Sequence, residues 1–239
     1  MTKPAESFTP SIPSNLRREL IASALRMSAV GLNQGTAGNL SVRAEENGQA
    51  GFLITPTGMA YDVLEEADIV FMQLDGTPSG RRQPSSEWRF HRDLYVARPE
   101  AGAIVHAHSP FATSLACLRR EIPPFHYMIA RFGGDTLRCA AYATFGTQAL
   151  SDAALVAMHG RNACLLANHG LLVFGRDLTQ ALDLGIELES LCEQYWRASL
   201  LGEPVLLTSD EMATALEKFA GYGQQTTTRQ LEKANHPAL

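Results

Sequence analysis

The chain has 239 residues, 45% hydrophobic and 19% charged, enough to bury a sizeable core in one large domain or two small ones. With 20 Lys and Arg against 25 Asp and Glu, its net charge is -5, a balance that argues against nucleic-acid or anionic-membrane partners held by bulk electrostatics. No window approaches the roughly 18 consecutive apolar residues a membrane helix needs, and the opening Met1-Thr2-Lys3-Pro4-Ala5-Glu6 lacks the apolar stretch of a secretory signal.

Residues 1–13, with Pro4, Pro10 and Pro13 among polar neighbours, read as a flexible arm. Leu16, Leu20, Ile21, Ala24, Leu25 and Leu32 then recur at helical spacing, with Ser14 placed to cap. After the turn-rich Gly35–Asn39 stretch, residues 40–43 and 52–54 flank Asn47-Gly48 and read as a hairpin. A third apolar run covers 69–74. Pro84-Ser85-Ser86-Glu87 leads into a helix ending near Ala97, because proline is tolerated before a helix and either serine can cap one. Residues 103–107 form a short strand, and Pro110 suits the first turn of the next helix. A helix over 149–158 and strands over 163–167 and 171–174 follow. Asp177 caps a long helix, and Thr208-Ser209-Asp210-Glu211 opens the last one, ending near Ala220. The tail over 223–239 shows no apolar periodicity. Cys117, Cys139, Cys164 and Cys192 are widely spaced and read as reduced, packed thiols of a cytoplasmic protein. Hairpins interleaved with helices predict one α/β domain (α+β-like) over 14–222, with a predominantly antiparallel central sheet and helices on its faces.

Within that frame, Val105-His106-Ala107-His108 carries the most chemistry. Side chains two apart on a strand share a face, so His106 and His108 project together, as a borderline-soft cation such as Zn²⁺ requires. A lone His-x-His also arises by chance. His169, in Asn168-His169-Gly170, stands where the chain turns between two strands; alone it reads as a structural histidine. Glu87 sits at a helix N-terminus, where the dipole favours a carboxylate and a capping role would suffice. Three segments offer backbone N–H groups and hydroxyls to an anion: Gly38-Asn39, Thr57-Gly58 and Ser85-Ser86, the last at a helix start.

These features gain meaning from a resemblance. In order, the chain carries Gly31-Leu-Asn-Gln-Gly-Thr-Ala-Gly-Asn39, Ile54-Thr-Pro-Thr-Gly58 and Pro84-Ser-Ser-Glu-Trp-Arg-Phe-His91. Val105-His-Ala-His108, His126-Tyr-Met-Ile-Ala130, Ala143-Thr-Phe-Gly-Thr147 and His169-Gly170 follow. It resembles the class II aldolase/adducin family over nearly its whole length. The resemblance implies one zinc ion per subunit, with Mn²⁺ or Co²⁺ as alternatives, held by Glu87, His106, His108 and His169. It implies phosphate binding by Gly38, Asn39, Thr57, Gly58, Ser85 and Ser86. Glu87 would double as the base at carbon, Tyr127 as the acid/base at the aldehyde-side oxygen, Tyr222 as a tyrosine closing over the site and Phe145 as an aromatic wall. His91 is left structural. The implied reaction is reversible cleavage of a ketose 1-phosphate (L-fuculose 1-phosphate or a related deoxy-pentulose or hexulose 1-phosphate) to dihydroxyacetone phosphate and an aldehyde such as lactaldehyde. A metal-stabilised enediolate carries it. The implied assembly is a homotetramer with active sites between subunits. Two kinds of alternative stay open: an epimerase, decarboxylase or dehydratase of the same family, and a non-catalytic adducin-like module, whose heads lack the metal histidines.

Overall fold

A computed structural model describes residues 15–221 of the chain. The first helix, α1 (Leu16–Ala29), buries Leu20, Ala24 and Met27, spaced to fall on one face. Strands β1 (Asn39–Glu46) and β2 (Gln49–Ile54) form the expected hairpin, in which Glu46 pairs with Gln49. Asn47 and Gly48 between them both have positive φ (53° and 77°), the backbone a two-residue turn needs to match strand twist. Strand β3 (Val70–Gln73) adds to β2, and the short β4 (Pro78–Ser79) closes that edge with a proline where no ladder donor is needed. Helix α2 (Trp88–Ala97) leads to β5 (Ala103–Ala107), which is buried throughout and lies antiparallel to β1.

The second half supplies α3 (Pro110–Ala116), β6 (Cys139–Ala140), α4 (Gln148–Ala157), β7 (Ala163–Leu166) and β8 (Gly170–Gly175). Helices α5 (Leu178–Leu201) and α6 (Ser209–Ala220) follow. Asp177 caps α5 through the Gln180 amide, and Thr208 with Glu211 forms a reciprocal capping box on α6. All eight strands join one sheet in the order β4-β3-β2-β1-β5-β8-β7-β6, antiparallel except for the β6–β7 pair. The predicted fold class therefore holds. The sequence reading left out the small edge strands β4 and β6 and the 3₁₀ turn Tyr127–Phe132, all too short for a periodicity. Ser14, the N-terminal arm, Tyr222 and the tail lie outside the described residues.

Alternation along the central strands sorts two cores. Leu40, Val105, Leu171 and Val173 pack with α1, α3 and α5, whereas Phe52, Ile104, Leu172 and Phe174 pack with Phe90 and Leu94 of α2 and Leu150 and Ala154 of α4. His106 therefore takes the α2 face of the sheet, while its neighbours Val105 and Ala107 pack on the other. The four cysteines form no disulfide; Cys164 and Cys192 are the packed thiols expected, but Cys139 is half-buried and Cys117 exposed.

Candidate metal centre

Four side chains from three places in the chain meet at one point. Glu87 enters from the start of α2, His106 and His108 from β5 and its end, and His169 from the turn between β7 and β8. One donor atom from each lies within 4.8 Å of the others. His106 Nε2 is 3.0 Å from His108 Nε2 and 3.1 Å from Glu87 Oε2, and His169 Nε2 is 3.2 Å from Glu87 Oε1. Four ligands at tetrahedral zinc distances stand about 3.3 Å apart, and these three separations are close to that.

Local structure explains the convergence. His106 is fully buried, and its Nδ1 donates to the Leu171 carbonyl at 2.8 Å across the β5–β8 ladder; that bond leaves the Nε2 lone pair directed into the cluster. His108 lies just beyond β5, where the chain is pinned by Glu189 of α5. That carboxylate accepts from Ser109 Oγ at 2.6 Å and from the Phe111 and Ala112 amides, both at 2.8 Å. His169 follows Asn168, whose φ of +53° turns the chain, and precedes Gly170, where a Cβ would run into the Ala107 carbonyl. The three imidazoles stand edge-on to one another, with ring centroids 4.7–4.9 Å apart.

The electrostatics suit a cation. Burial acts to raise the Glu87 pKa, but the imidazoles of His106 and His169 outweigh it and hold the carboxyl well below its usual range. Burial, with His106 and His169 adding to it, pushes His108 down to about 4, so this imidazole is neutral and its lone pair available. Glu87 Oε1 is buried and, beyond its ion pair with His169 Nε2 at 3.2 Å, makes no aligned hydrogen bond among the described residues, a state that a bound metal would relieve. Two imidazole nitrogens 3.0 Å apart with a carboxylate beside them fit Zn²⁺ or a similar divalent ion by donor type and spacing.

The expected anion segments gather at the same place. Thr57 N donates to the Gln83 carbonyl at 3.2 Å and Ser85 N to the Thr55 carbonyl at 3.0 Å, which lays Thr57-Gly58 beside Ser85-Ser86. Ser85 Oγ accepts from the Glu87 amide at 3.3 Å, and Thr57, Gly58 and Ser86 face outward. Leu40 N donates to Thr55 Oγ1 at 3.3 Å, bringing Gly38-Asn39 alongside. The structure nevertheless commits both polar atoms of Asn39's side chain within the protein: Nδ2 to Glu87 Oε2 at 3.0 Å and Oδ1 to His91 Nε2 at 2.6 Å. The Gly38 amide likewise goes to Asn33 Oδ1, at 3.0 Å. Asn39 Nδ2 still carries a second N–H, so it stays a candidate for an anion together with the Thr57, Ser85 and Ser86 hydroxyls and the Gly58 and Ser86 amides.

Phe145 is 66% exposed on the loop before α4, and that loop rests on the same region. The Gly146 carbonyl accepts from Arg89 Nη1 at 2.7 Å, and a Cβ on Gly146 would lie 3.0 Å from the Ser86 carbonyl oxygen. Tyr127 is not brought to the cluster of its own chain. It is 54% exposed and stacks on Phe219 of α6 and on His126.

His91, left structural in the sequence reading, is fully buried and ligates nothing in the cluster, but it bonds to Asn39 and Ser41. Burial pushes it down to about 3, with His106 adding to the effect. Both His91 and His108 sit below the ordinary 6.5, so the stability they confer is present above pH 6.5 and is lost as pH falls toward 4 and 3. In metal-free protein the urea midpoint is expected to fall between pH 6.5 and 4.5, before ordinary glutamates titrate, and to fall less steeply in His91→Phe. A midpoint flat across that window would contradict the burial argument.

Imidazoles and a carboxylate closing on one point, set on a mixed sheet covered by helices, give an α/β protein with a place that could hold a metal ion. The family model described as Class II Aldolase and Adducin N-terminal domain matches residues 18–196, and the chain belongs to that family. Over 208 residues it is 54% identical to a 5-methylthioribulose-1-phosphate/5-deoxyribulose-1-phosphate aldolase of Rhodospirillum rubrum, covering 87% of this chain and 92% of that one. It is 46% identical over 211 residues to an L-fuculose phosphate aldolase of Escherichia coli, covering 88% and 96% respectively. A solved L-fuculose 1-phosphate aldolase superposes with a TM-score of 0.83 at 42% identity, covering 90% of this chain and 99% of that one.

Proposed function

We propose that this protein is a zinc-dependent aldolase that splits a ketose 1-phosphate, reversibly, into dihydroxyacetone phosphate and an aldehyde. The observation that supports it most is the meeting of Glu87, His106, His108 and His169 beside the hydroxyls of Thr57, Ser85 and Ser86 and the amides of Gly58 and Ser86. Ser86 adjoins Glu87 in the chain, so one short sugar phosphate can reach both. The relative with 54% identity acts on a five-carbon deoxy or methylthio sugar phosphate, and this ranks those substrates ahead of L-fuculose 1-phosphate here.

A bound divalent cation supplies Lewis-acid stabilisation of the charge that develops at C2 and C3 as the C3–C4 bond breaks. The chain's own groups do the rest. The hydroxyls of Thr57, Ser85 and Ser86, the amides of Gly58 and Ser86 and the second N–H of Asn39 Nδ2 hold the phosphate near the start of α2, where the helix dipole favours an anion. Glu87, whose Oε1 lies 3.2 Å from His169 Nε2, moves the proton at C3 of the dihydroxyacetone phosphate half. Tyr127 exchanges a proton with the aldehyde-side oxygen, Phe145 walls the aldehyde, and Tyr222 closes over the site. Between Lys3 and Lys218 the chain has no lysine, so it lacks the buried mid-chain amine that a Schiff-base aldolase uses.

Tyr127 lies away from its own cluster and half exposed, which fits a homotetramer in which it completes a neighbour's site. A single chain's mass in solution would remove that part of the reading. Ketose 1-phosphates screened with a coupled assay for dihydroxyacetone phosphate test the whole. Release is expected with 5-deoxyribulose and 5-methylthioribulose 1-phosphates at the highest kcat/KM, and chelation is expected to stop it. Turnover indifferent to chelation, or epimerised sugar without dihydroxyacetone phosphate, would defeat the proposal.

A further inference from the structure

Joined to Glu87 is a row of buried polar side chains that the proposed reaction does not use. Tyr95 OH lies 2.9 Å from Ser41 Oγ, which lies 2.7 Å from His91 Nδ1; His91 Nε2 lies 2.6 Å from Asn39 Oδ1, and Asn39 Nδ2 lies 3.0 Å from Glu87 Oε2. Ser41 and His91 are fully buried, and Asn39 and Tyr95 nearly so.

The direction of every proton in this row follows from its end. The Glu87 carboxylate accepts only, so the Asn39 amide must turn its Nδ2–H toward it and its Oδ1 away. Asn39 Oδ1 is then an acceptor, and His91 must donate from Nε2. Because burial keeps His91 neutral, its Nδ1 carries no proton and accepts from Ser41 Oγ–H. Ser41 has then spent its proton, and Tyr95 O–H donates to it. All four bonds run one way, from Tyr95 to the carboxylate. A flip of the Asn39 amide would set Oδ1 against the carboxylate and Nδ2–H₂ against His91 Nε2–H, so the His91 tautomer bars it. Aligned bonds in a dry interior also strengthen one another.

We propose that His91 is a positioning residue: through Asn39 it anchors Oε2 of Glu87 and so fixes how the carboxylate, with Oε1 3.2 Å from His169 Nε2, meets metal or proton, while Ser41 and Tyr95 fix the His91 tautomer. This rests on the reading of Glu87 as metal ligand and proton carrier. Structure on both sides of the ring makes the idea testable, since His91 lies against Phe52 and Phe90 and a phenylalanine keeps that apolar packing.

Two readouts need no substrate. In ¹⁵N-labelled, zinc-free protein, His91 is expected as the Nε2-protonated tautomer; an Nδ1-protonated ring would overturn the proposal. Zinc affinity, measured by competition with a chelator, is expected to fall about tenfold in His91→Phe, the lower end of what partners behind a metal ligand cost, and to recover in His91→Gln, whose amide restores a donor. Ser41→Ala is expected to mix the tautomers of His91 and to weaken zinc binding by itself, which keeps the idea testable should His91→Phe fail to fold. Added to His91→Phe, it should change zinc affinity no further, because both act through one chain. A folded His91→Phe with wild-type zinc affinity, or Ser41→Ala and His91→Phe losses that simply add, would show His91 to be packing alone. Should the wild-type protein cleave no ketose 1-phosphate, the aldolase reading falls, whereas zinc affinity and tautomer still decide the anchor.

Discussion

His106→Ala is expected to lose zinc affinity by more than about a hundredfold, beyond what removal of an outer partner costs, and to lose dihydroxyacetone phosphate release with it. Three features of the site make this the most damaging of the ligand changes. His106 is fully buried, its Nδ1 is fixed on the Leu171 carbonyl, and its Nε2 is within 3.1 Å of both His108 and Glu87. The ring is thus the member whose orientation the sheet itself dictates. Removing it opens a hole beside Phe90 on the α2 side of the sheet, and the remaining donors lose their common neighbour. Metal content of the purified variant, set beside its far-ultraviolet dichroism, separates lost coordination from lost folding. A folded His106→Ala protein that keeps wild-type zinc content and turnover would refute the proposed site.

How legible that site was in the sequence differs from residue to residue, for physical reasons. His106 and His108 could be paired because strand side chains repeat every second residue, and the structure keeps them together although β5 itself ends at Ala107. The hairpin at Asn47-Gly48 and the caps at Asp177 and Thr208 were legible for the same local reason: a few residues determine them. Glu87 and His169 were not, because their meeting depends on how α2 and the β7–β8 turn lie over the sheet. Only the resemblance joined them in advance. Glu189, which pins the chain after His108, comes from α5, far along the sequence, and no local pattern marks it.

Asn39 shows a different limit. Its place in a glycine-rich turn pointed to an anion, yet its carboxamide also bonds Glu87 and His91 and keeps one N–H of Nδ2 in hand. A signal for this was present and unread. Asn39 and Ser41 are two apart on a strand, and Glu87, His91 and Tyr95 are four apart along the start and body of α2, so each set falls on one face. Two polar stripes on elements that then pack together have to satisfy one another, since no water reaches them.

Glu87→Gln is expected to keep much of the zinc, because three imidazoles remain, and yet to slow hydrogen exchange at C3 of dihydroxyacetone phosphate by about 10² to 10⁴, the usual contribution of a positioned base. The amide oxygen can still accept from Asn39 Nδ2, which now lies 3.0 Å from Oε2, so the side chain keeps its anchor while losing the ability to take a proton. Exchange of dihydroxyacetone phosphate with deuterated solvent isolates this step. No aldehyde is present, no carbon–carbon bond forms or breaks, and the group that serves the aldehyde-side oxygen has nothing to do. Tyr127→Phe should for that reason slow cleavage while leaving exchange near the wild-type rate. If instead Glu87→Gln exchanges deuterium as fast as wild type, the proton at C3 moves through another group. Glu87 would then be a metal ligand only.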